Sequence, residues 1–377
     1  MKSYKILLLG EASNFHRCLA IGLRRMGHQV TIASAGSGWM KIARDIDLSR
    51  KCKGKLGGLC LWLKALKYAK FDLKGFDIVS VIGNAFIELK PNRTARIFDI
   101  IRSNNKCVIY NYLGTDPAYI DYCFGKTSSL RYNEWQVDGA PTEYAKSASK
   151  KLAEWDAPAL RALCEKFYTD TDGTIAALYE YYQVAATKVA SDRLAYGGIP
   201  IDCKSIAPSY IPETPEKVKL MIAIHRNRMK EKGTDRLLAA AQRLVATYPD
   251  RCELDVVMNL PYQEFLKRIE ASHIVLDQLY SYTPATTAML AMAYGKVAVS
   301  GGESEFYDFI SENENRPIQN VVPDDNQIYS TLENLVLNPD KLRSIGIASR
   351  EFVEKHNDVD IVARRFIQFY EQLNGRK

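Results

Sequence analysis

Residues 218–235, VKLMIAIHRNRMKEKGTD, contain the pattern that decides the fold. The apolar run 218–224 predicts a buried strand, and after a basic loop a helix is predicted to begin near Asp235. One apolar stripe on that helix is formed by Leu237, Leu238, Ala241, Leu244 and Val245. A strand, a loop and a helix in this order are the unit of a parallel sheet, in which ligands bind beyond the carboxyl ends of the strands.

The loop between this strand and helix is strongly basic. Its cationic side chains are Arg226, Arg228, Lys230 and Lys232. The N-terminus of a helix favours anions, and Gly233 allows the backbone to approach one closely. Arg228 and Lys232 therefore predict a site for a doubly charged group, with Thr234 able to cap the helix. The alternative is a solvated basic loop without a ligand.

Two more strands follow, and both lead into polar loops. The run 273–279 is predicted to be a strand, followed by a turn-rich loop (280–287) and a short helix that ends near Gly295. A further strand, 296–300, runs into Gly-Gly-Glu-Ser-Glu at 301–305. Because the carboxyl ends of parallel strands lie at one edge of a sheet, we expect the three loops to form one site.

Four motifs are informative as an ordered set. They are a strand, a helix and Gly-His-x-Val within 4–33, Arg-x3-Lys-Gly-Thr-Asp at 228–235, Ala-Met-Ala-x-Gly at 291–295 and Gly-Gly-x-x-Glu at 301–305. In this order they resemble the GT-B glycosyltransferases of the retaining family-4 type, over most of the chain. The resemblance implies an α/β architecture of two Rossmann-like, doubly wound parallel-sheet domains that face a central cleft.

The resemblance also implies an activity. An enzyme of this type moves a sugar from a nucleotide-diphosphate sugar to an acceptor with retention, and requires neither a cofactor nor a metal ion. For this chain we expect a glycan or lipid-linked acceptor in envelope polysaccharide biosynthesis, because the basic segment at 39–74 favours an acceptor at a membrane. Two alternatives stay open: a non-catalytic scaffold subunit of the same fold, and a nucleotide-sugar epimerase of the same two-domain architecture.

Residue by residue, the resemblance places Arg228 and Lys232 on the donor's diphosphate. It places Glu305, or less readily Glu303, on the sugar hydroxyls. The family's Glu-x7-Glu pair is missing, because Tyr282 and Leu290 stand at its positions. Loop hydroxyls are expected to contact the donor instead, although loops rich in Ser and Thr also form plain turns. The residues expected near the diphosphate are Gly233, Thr234, Thr286 and Thr287, and those near the sugar and nucleotide are Ser281, Tyr282, Thr283, Gly301, Gly302 and Glu303.

The N-terminal half opens with a strand, a helix and a second strand. The loop after the first strand contains Gly10, Glu11 and Ser13, which we expect on the acceptor side. No Gly-x-Gly-x-x-Gly occurs here, so a dinucleotide cofactor has no sequence support.

A predicted strand at 106–112 leads into a second acceptor-side loop. It contains Gly114 and Thr115, followed by Asp116. The resemblance implies a catalytic Asp116, which contacts an acceptor hydroxyl or lies near the reacting carbon. An Asp before Pro is also a common turn residue without any function.

The predicted domain boundaries follow from composition. We expect an N-terminal domain (1–207), a Pro-rich linker (208–217), a C-terminal domain (218–358) and a terminal helix (359–377). The resemblance implies that the first domain binds the acceptor, that the second binds the nucleotide sugar and that the terminal helix crosses back to the first domain. Residues 118–183 are rich in Tyr and are predicted to be an insertion, whose rings line a sugar groove or belong to the core. A short strand is predicted at 185–190.

The segment between residues 39 and 74 is basic and amphipathic. Ten Lys or Arg residues stand against three Asp, an excess of seven that equals the net charge of +7. Trp62, Lys64, Lys67 and Lys70 are expected to contact an anionic membrane surface. The alternative is a helix packed on its own sheet with a solvated basic face. A nucleic-acid partner is not expected, because no nucleic-acid-binding module follows.

Several classes of protein are excluded or disfavoured. Eight cysteines without a Cys-x-x-Cys pair fit reduced thiols better than disulfides or zinc, and five histidines have no metal-binding spacing. No apolar run approaches the length of a membrane span or of a signal sequence. We expect a cytoplasmic protein, peripheral on the inner face of the cell membrane where the basic segment docks.

Overall fold

A computed structural model describes residues 2–36, 42–125 and 128–375. Its strands, in chain order, are β1 (Lys5–Leu9), β2 (Gln29–Ser34), β3 (Ile46–Asp47), β4 (Ile78–Val81), β5 (Cys107–Tyr112), β6 (Gln136–Val137), β7 (Ala140–Pro141), β8 (Gly173–Ala176), β9 (Leu194–Tyr196), β10 (Val218–Ile224), β11 (Cys252–Met258), β12 (Ile274–Leu276), β13 (Val297–Ser300) and β14 (Gln319–Asn320).

The α-helices lie between these strands and at the end of the chain. They are α1 (Phe15–Arg25), α2 (Gly54–Phe71), α3 (Pro91–Ser103), α4 (Pro117–Phe124), α5 (Glu143–Ser147), α6 (Ser149–Trp155), α7 (Pro158–Thr169), α8 (Tyr179–Ala186), α9 (Met229–Lys232), α10 (Thr234–Thr247), α11 (Tyr262–Ala271), α12 (Thr286–Ala293), α13 (Ser304–Phe309), α14 (Asp325–Leu337), α15 (Leu342–His356) and α16 (Val359–Asn374).

The chain folds into two compact units. Unit 1 consists of Met1–Tyr122, Lys150–Pro200 and Val359–Lys377, and unit 2 of Cys123–Ser149 and Ile201–Asp358. The predicted insertion at 118–183 is therefore wrong, because this stretch is divided between the units and contributes β8 to the sheet of unit 1. The predicted linker at 208–217 lies inside unit 2, where Ile211 is fully buried in the core.

Unit 1 is built on a parallel sheet in the order β3-β2-β1-β4-β5-β8-β9. One face packs against α1 and α16, where Phe15 and Phe366 join Leu8 in a single core. Gly22 permits the close approach of these helices, since a Cβ there would lie 2.2 Å from the backbone oxygen of Val359. The terminal helix α16 thus belongs to the same unit as β1.

Unit 2 is built on a second parallel sheet, in the order β11-β10-β12-β13-β14. Ile222 of β10 pairs in register with Leu276 of β12, which pairs with Val299 of β13. The three predicted loops follow these three adjacent strands. They therefore leave the same edge of one sheet, as the sequence predicted.

One local prediction in the N-terminal half was wrong. Residues 185–190 do not form a strand, because α8 runs to Ala186 and a short 3₁₀ turn follows at Ser191–Arg193. The strands that complete the sheet of unit 1 are β8 and β9, on either side of α8. β8 is only four residues long and contains Gly and Ala, so it carries little strand propensity.

Candidate functional site

The basic loop of unit 2 is held against the loop after β12. It forms a 3₁₀ turn (Arg226–Arg228) and the short helix α9, and then reverses at Gly233, whose φ is 67°. A Cβ on Gly233 would lie 2.6 Å from Cβ of Leu279, and the Leu279 N–H donates to the Lys232 carbonyl at 2.8 Å. Glycine is therefore required here for both its backbone conformation and its lack of a side chain.

The two cations predicted to bind the diphosphate have carboxylate neighbours. Arg228 is half-exposed and donates to Oε1 of Glu231, with Nη2 at 2.6 Å. Nζ of Lys232 lies 3.7 Å from Oδ1 of Asp277, which is buried at the end of β12. The Arg228 guanidinium and the Lys232 ammonium group both belong to the segment that follows β10.

Asp277 is a site residue that the sequence analysis missed. Its Oδ2 accepts long hydrogen bonds from the N–H groups of Ala285 and Ala288, at 3.3 and 3.4 Å. This carboxylate therefore occupies the N-terminus of α12, where Thr286 and Thr287 were expected to hold phosphate. An acidic residue directly after an apolar strand, just before a Ser/Thr-rich loop, was the signal that could have indicated it.

Several buried hydroxyls lack partners at this edge of the sheet. Thr234 begins α10, but the capping position belongs to Gly233 and no side chain caps the helix, so the predicted Thr234 cap is wrong. Within the described residues, the buried Oγ atoms of Thr234, Ser281 and Ser300 have no hydrogen-bond partner. Buried polar groups are normally paired, so these three have unused capacity for a ligand. Thr283 is fully buried.

The two glycines of the Gly-Gly-x-x-Glu loop lie too close to their neighbours to be replaced by a residue with a side chain. A Cβ on Gly301 would lie 1.9 Å from the Ser281 carbonyl oxygen, and one on Gly302 would lie 2.7 Å from Cγ2 of Ile318. The backbone N–H of Glu303 donates to the Tyr282 carbonyl at 3.2 Å. The loops after β12 and β13 therefore contact one another directly.

Glu303 is buried in a hydrogen-bond network. Its carboxylate accepts from Arg131 (2.5 Å), from the hydroxyl of Tyr132 (2.6 Å) and from Asn320 (2.9 Å). Burial alone would raise the pKa of Glu303, but these donors together hold it below its ordinary value. Glu305 is more accessible, with its side chain 36% exposed and Oε1 at 3.1 Å from Arg131.

Arg131 and Tyr132 were also missed by the sequence analysis. They precede the β6–β7 hairpin, in the part of unit 2 that the sequence assigned to an insertion. The Tyr132 ring stacks on Tyr282 with centroids 5.0 Å apart, and the backbone N–H of Arg131 donates to the Tyr282 hydroxyl at 2.5 Å. Tyr282, which stands at a position of the missing glutamate pair, thus anchors this segment.

In unit 1, Asp116 has the environment of a structural residue. The carboxylate accepts hydrogen bonds from the hydroxyls of Tyr112 and Tyr168 and from the N–H of Tyr119, at 2.8–2.9 Å. Burial raises the pKa of Asp116 despite these donors. The predicted catalytic role has no support in this geometry, because both oxygens are engaged and the side chain is buried. Nearby Gly114 is exposed and Thr115 half-buried.

The first acceptor-side loop contains a partly buried acid next to a buried histidine. Glu11 accepts from the N–H groups of His16 and Arg17, and burial raises the pKa of Glu11 to about 7. His16 is fully buried between the Gly10 carbonyl (2.8 Å) and the Ser80 hydroxyl (3.2 Å), and burial lowers its pKa to about 4. Exposed Ser13 has a left-handed φ of 50°.

The basic segment forms α2, and its exposed face differs from the predicted one. Trp62 lies against the guanidinium groups of Arg93 and Arg96, and Lys64 lies 3.8 Å from Asp47, so both have partners within unit 1. The exposed stripe consists instead of Leu56, Leu59, Leu63, Lys67 and Lys70. Lys41 of the same segment lies outside the described residues.

Neither a metal cluster nor a membrane span is found in the part of the chain that the structure describes. No three His, Cys, Asp or Glu side chains there form a group that could hold a metal ion. Among the same residues, every helix is too short or too polar to cross a bilayer.

Comparisons with known proteins identify the fold. No protein-family model and no curated protein matches the chain. Sucrose-phosphate synthase from Thermosynechococcus elongatus matches with a TM-score of 0.62 at 14% identity, over 100% of both chains. A glycosyltransferase from Rickettsia africae matches with a TM-score of 0.57 at 14% identity, again over 100% of both. The fold is GT-B.

The GT-B architecture is shared by proteins with different chemistry. A protein assigned as a UDP-N-acetylglucosamine 2-epimerase from Listeria monocytogenes matches with a TM-score of 0.55 at 11% identity, covering 97% of this chain and 95% of its own. At such identities the likeness shows the fold alone. The activity has to be argued from the residues of the site.

Proposed function

We propose that the chain is a GT-B glycosyltransferase that moves a sugar from a nucleotide-diphosphate sugar to a glycan or lipid-linked acceptor. The observation that supports it is the meeting of three loops beyond β10, β12 and β13, which are adjacent parallel strands. These loops combine two cations, a glycine turn and unpaired buried hydroxyls. That set suits a diphosphate, which needs both positive charge and hydrogen-bond donors.

In this proposal the donor site works mainly by electrostatics. As the bond to the sugar breaks, negative charge grows on the leaving diphosphate, and Arg228 and Lys232 neutralise it. Lys232 leaves Asp277 for the phosphate, and the Thr234 and Ser281 hydroxyls gain the partners that they lack in the free protein. Glu305 accepts hydrogen bonds from the sugar. The proposed reaction needs no metal ion or cofactor and retains the configuration of the transferred sugar.

Turnover of nucleotide sugars tests this proposal. UDP-glucose, GDP-mannose and ADP-glucose are incubated with the protein and a detergent extract of source-cell membranes, and release of nucleoside diphosphate is measured. Lys232→Ala should lower turnover by about a hundredfold, as expected for the loss of one charged donor in the transition state. Arg251→Ala is the matched control, because Arg251 directly precedes β11 and so lies at the amino ends of the strands, away from the three loops.

The same reaction separates the proposal from its alternatives. Conversion of the nucleotide sugar into an epimer without any acceptor, followed by NMR, would favour the epimerase, whose fold the chain shares. A protein that neither binds nor consumes any donor would favour a scaffold subunit. Transfer or hydrolysis that depends on Lys232 but not on Arg251 supports the transferase.

We also propose that α2 docks unit 1 on an anionic membrane surface, which would bring the site to a lipid-linked acceptor in envelope polysaccharide biosynthesis. The supporting observation is one exposed stripe in which apolar and cationic residues follow one another. In this stripe Leu56, Leu59 and Leu63 are 77%, 43% and 58% exposed, and Lys67 and Lys70 are also exposed. Phe71, the last residue of α2, is a further exposed apolar side chain. Burying such side chains in the interface stabilises binding by about 1.5–3 kcal/mol each, and each lysine adds about 1 kcal/mol near anionic lipid.

Flotation with vesicles tests the membrane proposal. The protein should float with vesicles that contain phosphatidylglycerol and should stay below vesicles of phosphatidylcholine alone. Leu59→Gln/Leu63→Gln and Lys67→Glu/Lys70→Glu should each abolish flotation, whereas Leu337→Gln, at an exposed leucine of unit 2, should not. If the α2 variants float like the wild type, or if the wild type does not float with anionic vesicles, the membrane proposal is wrong.

A further inference from the structure

Arg131 joins the two acidic side chains of the Gly-Gly-x-x-Glu loop. Its Nη2 lies 2.5 Å from Oε2 of Glu303 and 3.1 Å from Oε1 of Glu305. The rest of the segment is fixed, because the Arg131 N–H donates to Tyr282 and the Tyr132 hydroxyl donates to Glu303. The guanidinium is thus held in place while its side chain stays 54% exposed.

The two glutamates differ in what they can still bind. Glu303 is buried, and its oxygens already accept from Arg131, Tyr132 and Asn320. The Glu305 carboxylate accepts from the Ser304 hydroxyl at 3.0 Å and pairs with Arg131, but it remains partly open to solvent. Glu303 therefore anchors Arg131, and Glu305 is the carboxylate that a ligand can reach.

Charge balance gives Arg131 a second role. Two carboxylates on one loop repel each other. A single guanidinium between them offsets this repulsion and fixes the orientation of Glu305 at the same time. Without the cation, this repulsion would turn Glu305 away from Glu303 and from the orientation that Arg131 gives it.

We propose that Arg131 is a positioning residue that acts through Glu305 and promotes binding of the donor's sugar, but not of its nucleotide. This inference rests on the proposed function, since it assigns a role within the same donor site. The sugar hydroxyls donate to Glu305 only while Arg131 holds that carboxylate. A hydrogen bond to a charged group changes affinity by about tenfold or more.

Calorimetric titration tests the inference with probes that differ only in the sugar. UDP, GDP and ADP are compared with UDP-glucose, GDP-glucose and ADP-glucose on the wild type, Arg131→Ala, Arg131→Lys, Glu305→Gln and the Arg131→Ala/Glu305→Gln double variant. Nucleotide affinity should stay within about threefold throughout, whereas the gain from the sugar should fall about tenfold in Arg131→Ala and in Glu305→Gln. Arg131→Lys should keep part of that gain, because a cation remains.

The double variant decides whether Arg131 works through Glu305. Residues that act as one unit give non-additive losses, so the double variant should bind the conjugate no worse than either single variant. Equal weakening of nucleotide and conjugate, or additive losses, would overturn the inference while leaving the donor site intact. Failure of the wild type to bind any nucleotide would overturn the proposed function itself, and the inference with it.

Discussion

At the scale of single residues, the unpaired hydroxyl of Thr234 makes the ligand hypothesis testable. A buried hydroxyl without a partner destabilises the free protein, so Thr234→Val should leave its unfolding free energy unchanged or raise it by up to about 1 kcal/mol. If the hydroxyl serves a phosphate, the same variant should bind nucleotide about tenfold more weakly. Chemical denaturation and calorimetry measure the two effects. A loss of stability together with full nucleotide affinity would show that Thr234 has a structural partner instead.

Gly233 permits a second prediction on the same loop. Gly233→Ala combines a left-handed backbone with a contact of 2.6 Å to Leu279, and should destabilise unit 2 by about 3 kcal/mol. Gly139→Ala is the matched control, since Gly139 also has a positive φ but its Cβ would meet nothing within 4 Å. The control should lose only about 1 kcal/mol. Equal losses in urea unfolding would mean that the contact with Leu279 is not a constraint.

At the residue scale, the sequence indicates candidate site residues only where they are neighbours in the chain. Gly233 and the cations of 226–232 lie close together in sequence, so their pattern is visible. Arg131 meets Glu303 across 172 positions, and no motif marks it. Asp116 was predicted to be catalytic, because its local sequence does not indicate that the carboxylate is buried and accepts hydrogen bonds from Tyr112 and Tyr168.

At the scale of elements, the start of α1 should respond to pH through Glu11. The pKa of Glu11 in the folded protein, about 7, lies above its ordinary 4.5, so the folded state binds more protons between these values. The contribution of Glu11 to stability is therefore present at low pH and is lost as the pH rises through about 7. His16 acts in the opposite sense, because its lowered pKa favours the unfolded state as the pH falls toward 4.

Glu11→Gln isolates the contribution of the carboxyl group, since His16 is common to both proteins. The stability of the wild type relative to the variant should fall between about pH 5 and about pH 8 and should level off above that range. Urea unfolding midpoints across this range measure it. A difference that is constant with pH would show that Glu11 titrates normally.

Elements were predictable in proportion to their apolar periodicity. The run 218–224 forms β10 with the predicted bounds, because apolar residues fill a strand buried within its sheet. The end of α8 was predicted as a strand, since Val184 and Ala185 are buried and local sequence does not distinguish a short buried helix from a strand. The exposed residues of α2 were only partly predicted, because Trp62 lies against the cations Arg93 and Arg96 of α3.

At the scale of the whole molecule, the proposed donor site and the proposed membrane-docking helix belong to different compact units. Arg131, the basic loop and the Gly-Gly-x-x-Glu loop all belong to unit 2, whereas Glu11 and α2 belong to unit 1. The sequence predicted two domains but misplaced their limits, because residues 123–149 join the second unit from the middle of the first. Residues 123–149 are held in unit 2 by contacts such as that of Tyr132 with Tyr282, which are distant from each other in the sequence.

A thermal-shift screen tests the central claim, a nucleotide-diphosphate site in unit 2, most directly. The wild type, Arg228→Ala/Lys232→Ala and the Arg251→Ala control are melted with UDP, GDP, ADP, CMP and their common sugar conjugates. A ligand at a hundredfold excess over its dissociation constant stabilises by about 2.7 kcal/mol, so one diphosphate nucleotide should raise the melting temperature of the wild type and the control. The double variant should show no shift. The absence of a shift with every nucleotide, or an equal shift in the double variant, would contradict the proposed donor site.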